Sequence, residues 1–193
     1  VLAAKLDSTS DTGTAGDGIT NDTTPIISGT GEVGATVKVV INGETLTATV
    51  GSDGTWSVTP ATALANGSYT ATVTETDAAG NSSTASVPVT VDATAPTAPT
   101  LTANADGSVG VTAPTDADLK SYTVSYTDES GAAKTVTVTK NTDGTWTSSD
   151  ASITPNTSGG ITLPADSVKD GSTVSGNATD GTNTSTNATA TAA

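Results

Sequence analysis

Carboxylates are the only side chains in this sequence whose number and spacing suggest chemistry. Sixteen of the twenty acidic residues are Asp, and the basic residues are six Lys. The chain has no His and no Cys, which excludes imidazole proton relays, thiol nucleophiles and the usual zinc sites. Asp is a compact oxygen ligand for hard cations and also a common turn former. The sequence therefore predicts cation binding by oxygen ligands, with turn capping as the competing interpretation.

The segments between these Asp residues alternate with a period of two. Thr alternates with Val, Ala or Ile in TVKVVI, TLTATV, SYTATVTET and KTVTVTK, and no segment shows helical periodicity. β-Branched residues at alternate positions are typical of strands with one buried face. Turn signals such as Asn42-Gly43 and Asp53-Gly54 separate the segments at intervals of about 8 to 12 residues. The pattern predicts an all-β chain of short antiparallel strands.

An internal repeat predicts two domains. The segment GSDGTWSVTP (51–60) returns as NTDGTWTSSD (141–150), and TETDAAGNSST returns further on as NATDGTNTST. We expect Trp56 and Trp146 to lie on equivalent strands and to pack in the two cores, with an exposed sugar-stacking surface as the alternative. The spacing between the two matches is longer in the second copy, so that copy carries an insertion near 149–169.

The domain boundary is predicted in VDATAPTAPTL, where two prolines hold the chain extended. We expect a first domain at 1–92, a short Pro-containing linker at 93–99 and a second domain at 100–193. Each copy contains seven strand-like segments. Seven antiparallel strands in about 95 residues are typical of the immunoglobulin-like sandwich. The predicted fold is therefore two tandem immunoglobulin-like β-sandwiches arranged end to end.

This topology predicts which Asp residues meet. In a seven-strand sandwich the chain alternates between two ends, so Asp92 at the end of the last strand of the first domain should meet the first loops of the second domain. Those loops carry Asp116 and Asp118 in PTDAD and Asp180 in TDGTN. Neighbouring carboxylates repel by about 1 kcal/mol per pair even in water, and Ca²⁺ relieves that repulsion with about six to eight oxygen ligands. We predict Ca²⁺ at this junction, because Mg²⁺ demands octahedral geometry.

The first domain contains further acidic groups. The long connection DSTSDTGTAGDGITND holds Asp7, Asp11, Asp17 and Asp22, and a connection of this length without apolar residues needs something to order it. A second ion here and a plain flexible loop both remain open. Asp77 corresponds to Asp180 in the repeat, so we expect a partial or empty metal site there that faces a preceding domain.

The first half of the chain resembles a known family. The residues DSTSDTGTAGDGITNDTTPIISGTGEVGATVKVVINGE, followed by DGTWSVTP, LANGSYTATVTETDAAGNSS and VTVDATAPTAP, are similar to the tandem bacterial Ig-like repeats of giant surface adhesins, including RTX-type and biofilm-associated proteins. The second half resembles another repeat type of these adhesins through PTLTANADGSVGVTAPTDADL. The resemblance implies an extracellular, elongated protein at the bacterial surface, stiffened by calcium, that holds a distal binding module away from the cell.

Charge and composition exclude several other classes. The net charge of −14 makes nucleic acid and anionic membranes poor partners, and no apolar run is long enough to insert into a membrane. Five aromatic residues cannot easily line the cleft that a two-carboxylate glycosidase needs. We therefore expect no enzyme but a monomeric structural extender for cell adhesion or biofilm formation, with neighbouring repeats as its partners. The alternative is a module that binds carbohydrate or a host protein through the insertion.

Overall fold

Alternation of Thr with small apolar residues produces sixteen short strands in the computed structural model, which describes residues 1–193. The chain divides into two units, 1–94 and 95–193, each with two sheets and its own apolar core. The helical content is one 3-10 turn, Ala165–Ser167, and no helix has the length and apolar character needed to cross a bilayer. The predicted fold class, all-β with immunoglobulin-like sandwiches, is confirmed.

The first unit contains eight strands in two sheets. The strands are β1 (Ala3–Leu6), β2 (Ile19–Thr20), β3 (Ile27–Thr30), β4 (Thr36–Ile41), β5 (Glu44–Thr49), β6 (Thr55–Val58), β7 (Gly67–Thr76) and β8 (Ser82–Val91). One sheet has the order β1-β3-β6 and the other the order β2-β8-β7-β4-β5. In β4 the side chains of Val37 and Val39 are buried, whereas Lys38 between them is exposed. The alternation in the sequence therefore separates the core from the solvent face.

The chain enters the first unit at one end and leaves it at the other. β1 begins where Ala3 faces Thr30 at the end of β3, on the side that also holds the β3–β4 and β7–β8 connections. β8 ends at Val91, which faces Gly67 at the start of β7. Asp92 therefore lies at the end of the unit opposite to the one where the chain enters.

The second unit also contains eight strands. They are β9 (Thr100–Ala103), β10 (Val109–Thr112), β11 (Ser121–Thr127), β12 (Ala133–Lys140), β13 (Trp146–Ser148), β14 (Ile161–Leu163), β15 (Thr173–Thr179) and β16 (Ala188–Thr191). The sheets have the orders β14-β10-β9 and β13-β12-β11-β15-β16. The β10–β11 and β15–β16 connections lie at the end where the chain enters, and β16 ends at the opposite end.

The strand pairing corrects the expected equivalence of the two Trp residues. Trp56 on β6 faces Gly29 of β3 in the three-stranded sheet. Trp146 on β13 faces Lys140 of β12 and belongs to the other sheet of its unit. The third strand of the three-stranded sheet is instead β14, which lies inside the segment that the sequence marked as an insertion. Trp56 is a buried core residue, whereas Trp146 is only partly buried.

Candidate functional site

Many Asp residues of the chain cap turns. The amide and the hydroxyl of Thr55 both donate to Asp53 Oδ1, at 3.0 and 2.9 Å. Ser108 bonds to Asp106 in the same way, and Thr145 to Asp143. These hydrogen bonds stabilise the ionised carboxylates and lower the pKa of all three Asp residues. Turn capping therefore explains these Asp residues without a metal.

Hydrogen bonds that Asp7 and Asp22 accept order the long connection between β1 and β3. Asp7 accepts from the Ser28 hydroxyl at 2.6 Å and from the amide and hydroxyl of Thr9. The Ser28 bond is the largest cause of the lowering of the Asp7 pKa to about 2. Asp22 accepts from the Ser10 hydroxyl at 2.8 Å and from the Thr24 amide at 2.9 Å. The connection is thus held by local bonds.

The other two Asp residues of this connection also serve separate turns. Asp11 accepts from the amide of Gly16, and its second oxygen is buried without a hydrogen-bond partner. Asp17 accepts from the amide of Ile19 at 2.9 Å. No three acidic side chains of residues 1–94 lie within 4.8 Å of one another. The structure does not bring Asp7, Asp11, Asp17 and Asp22 together as one set of ligands.

Asp77 caps the β7–β8 connection next to a buried acid that the sequence did not single out. Its carboxylate accepts from the amides of Ala79 and Asn81 and from the Asn81 side chain. Glu75, which is only 6% exposed, accepts from the amide of Glu32. Glu75 follows Ala71 and Val73 at spacings of two in β7 and therefore faces inward. The period-two alternation in the sequence of β7 was therefore enough to predict that Glu75 faces inward.

In the second unit, Asp118 and Asp180 come together at the end where the chain enters. Asp118 follows β10 and Asp180 follows β15, and one carboxylate oxygen of each lies within 4.8 Å of the other. Two oxygens that bind the same Ca²⁺ at about 2.4 Å each are at most about 4.8 Å apart. The spacing therefore fits shared coordination of one calcium ion.

Burial makes the Asp180 carboxylate costly to leave without a counter-charge. Asp180 is 5% exposed and accepts from the amides of Thr182 and Asn183 at 2.7 and 2.6 Å. Neither Asp118 nor Asp180 forms an ion pair with a Lys. The Lys120 side chain packs against Gly181 but does not pair with the neighbouring Asp180. Two carboxylates so close together favour the uptake of a cation.

Asp116 has a different role from Asp118, although both belong to the same connection. Its Oδ2 accepts from the amide and the hydroxyl of Thr97, at 3.1 and 2.6 Å. The Thr97 hydroxyl is the largest cause of the lowered pKa of Asp116. Asp116 therefore holds the segment that leads into β9, and only its other oxygen is available to a metal.

Asp92 is held within the first unit by Asn66. The Asn66 side chain donates to Asp92 Oδ1 at 3.3 Å and to the hydroxyl of Thr94 at 2.7 Å, and it accepts from the amide of Ala93 at 3.0 Å. Residues 92–94 are thus bound to the connection that precedes β7. The role of Asn66 is not visible in the sequence, because its partners lie 26 to 28 residues away along the chain.

Comparison with known proteins identifies the family of the first unit. Residues 1–93 match the sequence profile of the bacterial Ig-like domain family. The resemblance of the first domain to bacterial Ig-like repeats is thereby confirmed, and the matched residues end one position after Asp92. No curated protein matches the chain.

Solved structures that resemble the chain include bacterial adhesins. A tetra-tandem repeat from the extending region of a large adhesion protein is 24% identical over 100% of this chain and 49% of its own, with a TM-score of 0.36. A Ca²⁺-stabilised adhesin with which an Antarctic bacterium binds ice is 24% identical over 98% and 48%, with a TM-score of 0.44. A 1.5-MDa bacterial ice-binding adhesin is 21% identical over 100% and 64%, with a TM-score of 0.47. The chain spans about half to two thirds of these structures.

Proposed function

We propose that this chain is a structural extender of a bacterial surface adhesin and acts outside the cell as one segment of a longer stalk. The observation that carries the proposal is the path of the chain, which enters each sandwich at one end and leaves it at the other. A domain with this path adds its full length to a row of domains. The ten residues of β7 span about 33 Å, so each domain contributes a few nanometres. Membership of the first unit in the bacterial Ig-like family supports this role.

Calcium is the proposed stiffening agent. Asp118 and Asp180 supply two carboxylates at a spacing that suits one calcium ion, and backbone carbonyls of the same connections can add further oxygen ligands. Asp92 is the proposed ligand from the preceding domain, with Asp116 contributing its second oxygen. An ion that binds both bodies removes freedom from the linker, since a Pro-containing segment restricts motion only in part. Neighbouring repeats are then the partners of the chain, which supports cell adhesion or biofilm formation.

Small-angle scattering tests the stiffening role. We expect the maximum dimension of the wild-type chain to be largest in calcium and to fall in chelator, because carboxylate repulsion then acts without a counter-ion. Asp92→Ala should show the shorter dimension in both conditions. An equal maximum dimension for both proteins in both conditions would refute the stiffening role even if calcium binds elsewhere.

Calorimetric melting tests the ligands separately. Calcium should raise the melting temperature of the wild type, and Asp118→Asn and Asp180→Asn should lose most of that increase. Binding at about 10⁻⁴ to 10⁻³ M, usual for extracellular modules, gives at most a few kcal/mol at millimolar calcium. The matched control is Asp170→Asn, an exposed Asp of the same unit, which should keep the full response. A full response in both ligand variants contradicts this assignment.

A further inference from the structure

Trp146 lies in a part of the second unit that has no equivalent in the first. The strand β13 that carries it is added to the edge of the five-stranded sheet beside β12. Trp56, by contrast, is 4% exposed in the core of its own unit. The added strand therefore carries an aromatic side chain that packs at the margin of the core and stays partly exposed.

The Trp146 ring is held in a fixed orientation. Gly159 packs against it so closely that a Cβ at this position would overlap with the ring. The carbonyl of Gly159 accepts a hydrogen bond from the Tyr122 hydroxyl at 2.6 Å, and the Tyr122 and Trp146 rings are 6.4 Å apart between centroids. Tyr122 itself is fully buried. The exposed part of the indole is thus a preorganised surface, which reduces the entropic cost of binding.

A cavity of about 270 Å³ opens beside this ring. Its walls are Gly144, Thr145, Trp146, Pro155, Asn156 and Thr157. The side-chain oxygen of Asn156 accepts from the amides of Ser158 and Gly160, whereas its amide nitrogen donates to no protein group. The Thr157 hydroxyl has no protein partner either. The cavity therefore combines an apolar wall with two unused hydrogen-bonding groups.

The chemistry of these walls defines the ligand class. No charged residue lines the cavity, and the net charge of −14 repels anions. Its volume lies just below the range of about 300 to 1,000 Å³ typical of drug-sized ligands. A sugar ring has a matching apolar C–H face and a rim of hydroxyls. Lys140 Nζ lies 6.0 Å from the indole centroid, at the outer limit of a cation–π contact, and can move aside.

We propose that this cavity binds one ring of a neutral sugar, as a subsite for a glycan. The sugar stacks its C–H face on Trp146 and Pro155, and its hydroxyls bond to the Asn156 amide and the Thr157 hydroxyl. The proposal does not depend on the extender role, because a spacer domain without any ligand would serve that role equally well. A single sugar ring should bind weakly, with a Kd of about 1 to 10 mM.

Nuclear magnetic resonance of the full chain tests the proposal directly. The two indole N–H signals serve as internal probe and control, since Trp56 is buried in the other unit. The methyl glycosides of glucose, galactose and mannose are titrated separately, with glucuronate as the anionic comparison. We expect a saturable shift of the Trp146 signal with at least one neutral glycoside, no shift of the Trp56 signal, and weaker binding of glucuronate.

Three variants separate the subsite from a general surface effect. Asn156→Asp keeps the accepting oxygen of the turn but removes the free donor, and Thr157→Val removes only the hydroxyl. Each should raise Kd by about 2- to 12-fold, the usual range for one hydrogen bond. Thr142→Val, on an exposed position outside the cavity, should leave Kd unchanged. The proposal is overturned if no neutral glycoside gives a saturable Trp146 shift, if both indoles shift together, if glucuronate binds more tightly, or if Asn156→Asp and Thr157→Val both bind like the wild type.

Discussion

Replacing Asn66 by Ala should free the residues that leave the first domain. The substitution removes three hydrogen bonds, to the amide of Ala93, the hydroxyl of Thr94 and the carboxylate of Asp92. A typical hydrogen bond contributes about 0.5 to 1.5 kcal/mol. Because Asn66 is exposed and one of the bonds is 3.3 Å long, we expect the free energy lost with all three bonds to be low, about 1 to 2 kcal/mol.

Amide hydrogen exchange measures this loss at the site itself. An opening free energy lowered by about 1 to 2 kcal/mol accelerates exchange of the Ala93 amide by about 5- to 30-fold. Global stability should change little, since Ala93 lies outside the core. The matched control is Asn187→Ala, an exposed Asn of the second unit, which should leave Ala93 unaffected. Exchange at Ala93 within about twofold of the wild type would refute the argument.

A second set of hydrogen bonds holds the chain on the other side of the boundary between the two units. Thr97 is bound through its amide and its hydroxyl to Asp116 in the second unit. Between the residues held by Asn66 and by Asp116 lie only Ala95 and Pro96, and the Pro96 ring fixes its own φ. The residues on either side of Ala95 and Pro96 are therefore each held by hydrogen bonds to their own unit.

Three further outcomes are expected. Acid should destabilise the first domain, because hydrogen bonds, chiefly from the Ser28 hydroxyl, lower the Asp7 pKa from 3.8 to about 2. The stabilisation by ionised Asp7 is complete above about pH 4 and is lost as the pH falls toward 2. Asp7→Asn should therefore flatten this part of the curve of unfolding free energy against pH, measured by denaturant unfolding. Trp56→Ala should cost about 3 to 5 kcal/mol in the unfolding of the first domain, whereas Trp146→Ala, at a partly buried position, should cost the second domain clearly less; equal losses would contradict the different burial of the two rings. Gly159→Ala should destabilise the second domain by at least about 1 kcal/mol, because residue 159 has a φ of 83° and the new methyl group meets the Trp146 ring. The same contact should shift the indole resonance of Trp146. An unchanged resonance would contradict the contact between Gly159 and the ring.

Most strands could be predicted because alternation alone distinguishes a strand with one buried face. The segment TVKVVI gives β4, with Val37 and Val39 inward and Lys38 outward. Asn42-Gly43 gives the two-residue turn between β4 and β5, where both residues have positive φ, 48° and 80°, as a type I′ turn requires. β2 and β14 were missed because they contain only two and three residues, too few to show a period.

The equivalence of the two Trp strands failed for a different physical reason. The motif Asp-Gly-Thr-Trp specifies a turn, and the turn is the same in both units: Gly54 donates to the carbonyl of Gly51, and Gly144 donates to the carbonyl of Asn141. After this turn β6 crosses to the other sheet, whereas β13 stays paired with β12. The shared motif specifies only the hydrogen bonds of the turn, and these do not determine which sheet the next strand joins.

The approach of Asp118 and Asp180 was predictable because both loops lie at the same end of the sandwich, which follows from strand order alone. The roles of Asn66 and Thr97 were not predictable, since each depends on the position of one hydrogen-bonding atom in a distant connection. The Asp-capped turns limit how much calcium can contribute to folding. Asp53, Asp106 and Asp143 already have amide and hydroxyl donors of their own turns, so the loops around them form without an ion. Each core is apolar and separate from the acidic ends, and chelation should therefore loosen the proposed calcium site while both sandwiches stay folded.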